Sequence, residues 1–224
     1  MKEALKKMRW QSVAKRILLI PIPIVMLPLG ISGYFAAMLG SDPYSVFLDG
    51  MHVLTEITRG RVAMLIGVVL ITLMIFFDRK YLGVGTVTLT LTIGPLIDLF
   101  LPMLTAAMYT TGEPDLFLRV VVLVSGALIL SVGVGVFVAI DFGIGALEWV
   151  VILISKRFST SVGRAKIVLD AALVATGWLM GGLVGVGTIV GIAATGLLID
   201  VTLKCVRGPI KRFVGPLRNE ENDV

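Results

Sequence analysis

Long apolar runs broken by short polar segments fill almost the whole chain. Residues 17–41, 62–77, 83–104, 120–140, 167–181 and 185–203 are predominantly apolar and do not alternate, so they read as membrane helices rather than barrel strands. Residues 44–57 and 144–156 are shorter and mixed, and predict short helices. The polar breaks carry turn chemistry: Gly40-Ser41-Asp42-Pro43, then Asp78-Arg79-Lys80-Tyr81, then Thr110 through Asp115, then Gly181-Gly182. The predicted organisation is a basic segment (1–16), a first membrane unit (17–104), a polar linker (105–116), a second membrane unit (117–203) and a tail (204–224). At roughly 20–25 residues per crossing, such a chain crosses a bilayer at most about six to eight times.

Composition agrees. The 224 residues are 57% hydrophobic and 16% charged, against roughly 45–50% and 25% in soluble domains. That excludes a soluble enzyme as the default and excludes disorder. The net charge of +5 is concentrated at the ends. Lys2, Lys6, Lys7, Arg9, Lys15 and Arg16 precede the first apolar run, and five more basic residues follow from Lys204. Basic residues flanking apolar spans fit a lipid bilayer, not nucleic acid, and place both termini on the cytoplasmic side. No small-residue cleavage site closes the first span, so it is expected to remain as a helix. Cys205 is the single cysteine, and no His, Cys or carboxylate spacing suits a metal. With one histidine, no P-loop and no Ser-His-Asp grouping, neither catalysis nor a cofactor is expected.

The two membrane units resemble each other. Gly83-Val84-Gly85-Thr86 matches Gly185-Val186-Gly187-Thr188, and Gly94, Leu96, Ile97 and Asp98 match Gly196, Leu198, Ile199 and Asp200. One residue further in offset, Gly60-Arg61 matches Gly163-Arg164 and Gly40 matches Gly143. An all-α protein of two tandem repeats is expected, each of about four helices with one of them short, either crossing or spanning half the bilayer. Internal repeats are common in transporters, with sites at the repeat interface. If 44–57 and 144–156 both cross, the repeats are parallel (4+4); if neither crosses, they are inverted (3+3). Basic-residue counting separates the two poorly. The eight-helix arrangement places Arg61 and Arg164 on one side, and we favour it on that ground.

Several side chains are candidates for chemistry. Ser45, Asp49, His52 and Glu56 fall on one face of a helix. Ionisable groups at membrane depth usually face a protein interior or a wet cavity, so this face reads as a polar wall, the alternative being an interfacial amphipathic helix. Asp49, Glu56, Glu148 and Asp170 are coupling candidates, although Asp170 lies one turn after Lys166 and an ion pair explains it equally well. The glycines of the two Gly-x-Gly-Thr segments (Gly83, Gly85, Gly185, Gly187) would leave N–H groups free for an anionic group, with Thr86 and Thr188 adding hydrogen bonds; plain capping is the competing account. Asp98 with Arg61, and Asp200 with Arg164, suggest two structural ion pairs. Gly177, Gly181 and Gly182 suit a helix contact within the chain or in a homodimer.

Gly40 through Pro43, Gly60-Arg61, Arg79 through Thr86 running into Ile93 through Phe100, and their counterparts from Gly143 to Thr188 resemble the YczE/YyaS/YitT-type bacterial inner-membrane proteins over roughly residues 17–203. That resemblance implies a bacterial cytoplasmic-membrane protein, presumed to move small solutes, with amines, amino acids or a vitamin as the substrate hint. The family pattern carries an Asp at the positions occupied here by Ser45 and Glu148, which singles out Glu148 as the retained carboxylate. A secondary transporter or facilitator of a small polar solute is the leading expectation. A membrane scaffold and a lipid-handling protein are the alternatives.

Overall fold

A computed structural model describes residues 2–110 and 112–215. Among these, nine α-helices and one short 3-10 turn make up the fold: α1 (Lys2–Leu19), α2 (Pro21–Ala37), α3 (Pro43–Thr55), α4 (Arg59–Phe77), the turn Arg79–Tyr81, α5 (Val84–Met108), α6 (Leu116–Ile140), α7 (Ala146–Arg157), α8 (Val162–Leu179) and α9 (Val186–Val214). Four stretches are long and apolar enough to cross a membrane: Trp10–Ala37, Arg59–Phe77, Val84–Met108 and Leu116–Ile140. α9, bent by 40° between Ala193 and Gly196, makes a fifth if its two segments count as one span. The protein is therefore a multi-pass helical membrane protein.

Helix starts follow the local sequence. Asp42, Thr58, Asp115 and Ser161 each accept a bond from the backbone N–H three residues on, satisfying donors that a helix start leaves open. Pro43 sits in the first turn of α3, where its missing N–H costs nothing. α3 has 13 residues and α7 has 12. At about 1.5 Å per residue neither reaches across a hydrocarbon core of about 30 Å, so both are short helices as expected, and the version of the eight-helix arrangement in which both cross is not met.

The buried core joins α2, α5 and α6 with Leu48 of α3 and Val62 and Ala63 of α4, and α9 packs along α6. α2 and α6 cross at small residues: a Cβ on Gly30 would lie 2.6 Å from the Leu130 nitrogen, and one on Gly133 would lie 2.8 Å from Leu27 Cδ1. These contacts make α2 and α6 antiparallel. α2 and α5 run parallel, since Ile20 lies by Gly85 at one end and Met38 Sδ by the Tyr109 hydroxyl, 3.4 Å away, at the other. α6 and α9 also run parallel, with Leu123 against Gly187 and Thr202 against Gly135. The pair α2/α5 thus opposes the pair α6/α9. α4 runs antiparallel to α5, since Gly60 lies against Gly94 and Gly67 against Thr90.

Buried Arg16 fastens the end where α1, α6 and α9 meet. Its Nε donates to Ile140 O at 2.8 Å and its Nη2 to Gly215 O at 3.1 Å. Both carbonyls belong to helix C-termini, which favour a cation.

Candidate functional site

The two Gly-x-Gly-Thr segments form clasps between the halves. Gly85 N–H donates to Phe142 O at 2.9 Å, and Gly187 N–H donates to Leu39 O at 2.8 Å. Gly40 (φ 93°) and Gly143 (φ 132°) hold the receiving loops in backbone conformations that L side chains rarely adopt. A Cβ on Gly40 would meet Thr188 Oγ1 at 2.8 Å, and one on Gly143 would meet Thr86 Oγ1 at 2.5 Å. Thr86 and Thr188 are buried, and each Oγ1 accepts from the N–H that opens its segment, Gly83 at 3.3 Å and Gly185 at 3.2 Å. Thr86 Oγ1 also donates to Ile144 O at 2.6 Å. The N–H groups of Gly83, Gly85, Gly185 and Gly187 are thus all spent on the protein. They do not point free toward a solute anion, which corrects that expectation.

Asp49 is buried on α3 and accepts from Arg59 Nε at 2.7 Å, pairs with Arg59 Nη2 at 2.5 Å, and accepts from Leu183 N–H at 2.8 Å. The Arg59 guanidinium lies 5.0 Å from the Phe35 ring centroid. Asp49 thereby joins α3, the start of α4 and the loop into α9, and every lone-pair direction in use belongs to structure. His52 Nδ1 lies 2.7 Å from Ile57 O, and Glu56 ends α3 with φ 59° at the exposed end. The predicted polar face therefore divides: Ser45 and Asp49 are buried, whereas His52 and Glu56 sit at the opposite end of the helix.

The N-terminus of α3 gathers several ionisable groups. Asp42 Oδ2 accepts from Ser45 Oγ at 2.5 Å, and Asp42 Oδ1 from Ser45 N–H at 3.3 Å. Burial pushes the Asp42 carboxyl up, while the Ser45 bonds and the Lys166 charge pull it down. Burial likewise pushes the Tyr44 phenol up, reinforced by Asp42 and Glu148. Lys166 pairs with Asp170 one turn along α8. Glu148 stands in the first turn of α7, folded back against Gly145, and is exposed. α3, α7 and α8 thus place Lys166 within electrostatic reach of Asp42, and Asp42 and Glu148 within reach of Tyr44, with Asp170 already paired to Lys166.

The two expected ion pairs are absent among the described residues. Asp98 accepts instead from Thr58 Oγ1 at 2.6 Å and Gly60 N–H at 2.9 Å, while Arg61 is exposed. Asp200 and Arg164 are both exposed and apart. Sequence reading missed Asp42, Tyr44 and Arg59. An Asp-Pro pair opening a helix is a legible cap, but nothing local says that Asp49 pairs with Arg59 rather than Arg61. No group of three or more metal-ligating side chains occurs among the described residues.

Residues 14–204 match the model of a protein family described as a family of unknown function, DUF6198. The chain belongs to that family. It is 27% identical over 165 residues to the uncharacterized membrane protein YczE of Bacillus subtilis, covering 74% of each chain. It is 25% identical over 197 residues to an uncharacterized protein of Haemophilus influenzae, covering 88% of this chain and 87% of that one. The resemblance to YczE-type proteins read from the sequence is therefore shown. No solved structure matches.

Proposed function

We propose that this DUF6198 protein is a secondary transporter or facilitator of a small polar solute, built from two inverted repeats. The observation that carries the reading is reciprocity. Leu39 meets Gly187 as Phe142 meets Gly85, and Gly30 meets Leu130 as Gly133 meets Leu27. Asp78 pairs with Lys156 at 3.5 Å where, at the same offset, Gly181 meets Val53. Each contact exchanges its halves at an offset of 102 or 103 residues, as a pseudo-twofold axis in the membrane plane would require. Non-helical segments at 38–42 and 141–145 lie beside helix starts of the opposite half, the arrangement in which discontinuous helices border a transport site.

The cluster at the α3 N-terminus is the solute site in this reading. Its acidic excess selects a solute with a cationic group, an amine or a zwitterion, with Asp42 as counter-ion and Glu148 and Tyr44 beside it. Asp49 is structural. No bond is made or broken in the solute. The basic ends place both termini in the cytoplasm of a bacterial inner membrane, which reporter fusions at each end test. The function is tested by uptake of labelled amines and amino acids into proteoliposomes. Uptake that falls at least tenfold in Asp42→Asn, with the variant still monodisperse, supports the reading. Uptake unchanged in that variant removes Asp42 from the site.

A further inference from the structure

Among the contacts that break the reciprocity, two lie between α4 and α5. In the first half, α4 packs closely along α5: Gly60 lies against Gly94, and Asp98 caps α4 through Thr58 Oγ1 at 2.6 Å and Gly60 N–H at 2.9 Å. The corresponding residues of the second half are Ser161, Gly163, Gly196 and Asp200. Nothing lies within 4 Å of a Cβ on Gly163 or Gly196, Asp200 is exposed, and α8 makes no substantial contact with α9. The chemistry needed for a matching cap is nevertheless present. Ser161 already caps α8 as Thr58 caps α4, accepting from Arg164 N–H at 3.3 Å and from Arg61 N–H at 3.4 Å respectively. α9 bends by 40° between Ala193 and Gly196, next to the position where α5 meets α4.

We infer that Asp98 and Asp200 are alternating latches. In the conformation described here Asp98 holds α4 closed on α5, and α8 stands away from α9. In a second conformation Asp200 accepts from Ser161 Oγ and Gly163 N–H, Gly163 seats against Gly196, and the Asp98 latch is released. Two inverted halves that can exchange conformations give a pair of states related by the pseudo-twofold axis, open to opposite sides. The Gly60–Gly94 contact lies near the middle of α5 with the Asp98 cap one turn nearer Met108, and in α9, which runs opposite to α5, the Asp200 cap would lie one turn nearer Val214, on the other side of the middle. Closing α8 also covers Lys166 and Asp170, which stand where α4 has Ala63 and Gly67. They are covered as an ion pair, which costs less than covering either charge alone. This inference rests on the inverted-repeat reading above, and it assigns that transporter its gates.

The test is intramolecular cross-linking in liposomes, in a Cys205→Ser background with Ile167→Cys and Leu197→Cys. Both positions are exposed, at 70% each, and their counterparts Met64 and Pro95 flank the closed Gly60–Gly94 contact. A short bismaleimide joins them only when α8 closes on α9. Asp98→Ala is expected to raise the yield roughly tenfold, the scale of losing a charge-assisted hydrogen bond. Gly196→Ala, which fits the described state without a clash, is expected to abolish it. Yields indifferent to both substitutions, or products found only between chains, overturn the latch. Solute uptake separates the two failures. Exchange of the cross-link without any uptake leaves the latch and removes transport. Undiminished uptake in Gly196→Ala leaves transport and removes the latch.

Discussion

Replacing Asp49 separates a structural carboxylate from a coupling one. In the structure its two oxygens serve Arg59, at 2.7 and 2.5 Å, and the Leu183 N–H, at 2.8 Å. Asp49→Ala strands a guanidinium and a backbone donor. Breaking a buried pair costs about 3–5 kcal/mol when the remaining charge has no access to water. The Arg59 side chain is 27% exposed, so water can recover part of that loss, and polar pairs in membrane proteins average only about 0.6 kcal/mol in double-mutant cycles. We expect Asp49→Ala to lose about 2 kcal/mol. Arg59→Ala should lose a similar amount, because Asp49 then keeps only the Leu183 bond. The double variant should lose clearly less than the sum, leaving a coupling energy of about 1 kcal/mol or more. The assay is equilibrium unfolding in mixed micelles, where all four species of the cycle are compared. Additive losses, or single losses below about 0.5 kcal/mol, would refute the cross-link and return Asp49 to the list of coupling groups.

Other expectations follow from the same geometry. Gly40→Ala and Gly143→Ala should destabilise by similar amounts, at least about 1–3 kcal/mol each, since both force a side chain into a rare backbone region beside a buried threonine; thermal unfolding compares them, and a large inequality would argue against the reciprocal clasps. Arg16→Lys should lose much of what Arg16→Ala loses, about 2 kcal/mol, because one ammonium cannot reproduce the forked bonds to Ile140 O and Gly215 O, and the same unfolding assay reads it. Asp42→Asn should keep the cap of α3 and stay folded while losing affinity for a cationic solute. In the parent protein that affinity should fall as pH drops through a value above the ordinary aspartate range, because burial raises the Asp42 carboxyl and protonation removes its charge. A binding isotherm taken at several pH values checks the sign.

Much of this arrangement was legible in the residues. The apolar runs located the long helices, and the starts of α4 and α9 to within three residues, 62–77 against Arg59–Phe77 and 185–203 against Val186–Val214, although α9 continues eleven residues past the expected end into the basic tail. The repeated Gly-x-Gly-Thr segments marked the places where the halves touch, because close backbone approach needs glycine whatever its purpose. What sequence could not supply was direction and partner. The matched residues do not set the relative direction of the two halves, whereas contacts such as Gly30 with Leu130 show that α2 and α6 run antiparallel. Asp98 seemed made for Arg61, yet the N–H of Gly60, one residue earlier, is the donor it meets. A helix start offers free donors as surely as an arginine does, and the pattern of charges along the chain does not record them.

The most direct measurement is a thermal-shift screen of the detergent-purified protein against amines, amino acids, vitamins and organic anions. A ligand at about 100 times its dissociation constant stabilises a protein by roughly 2.7 kcal/mol, a readable shift. A hit is expected among solutes bearing a cationic group, lost in Asp42→Asn and retained in Glu56→Gln, since Glu56 is exposed at the far end of α3. A hit confined to organic anions, or one that persists unchanged in Asp42→Asn, would contradict that expectation.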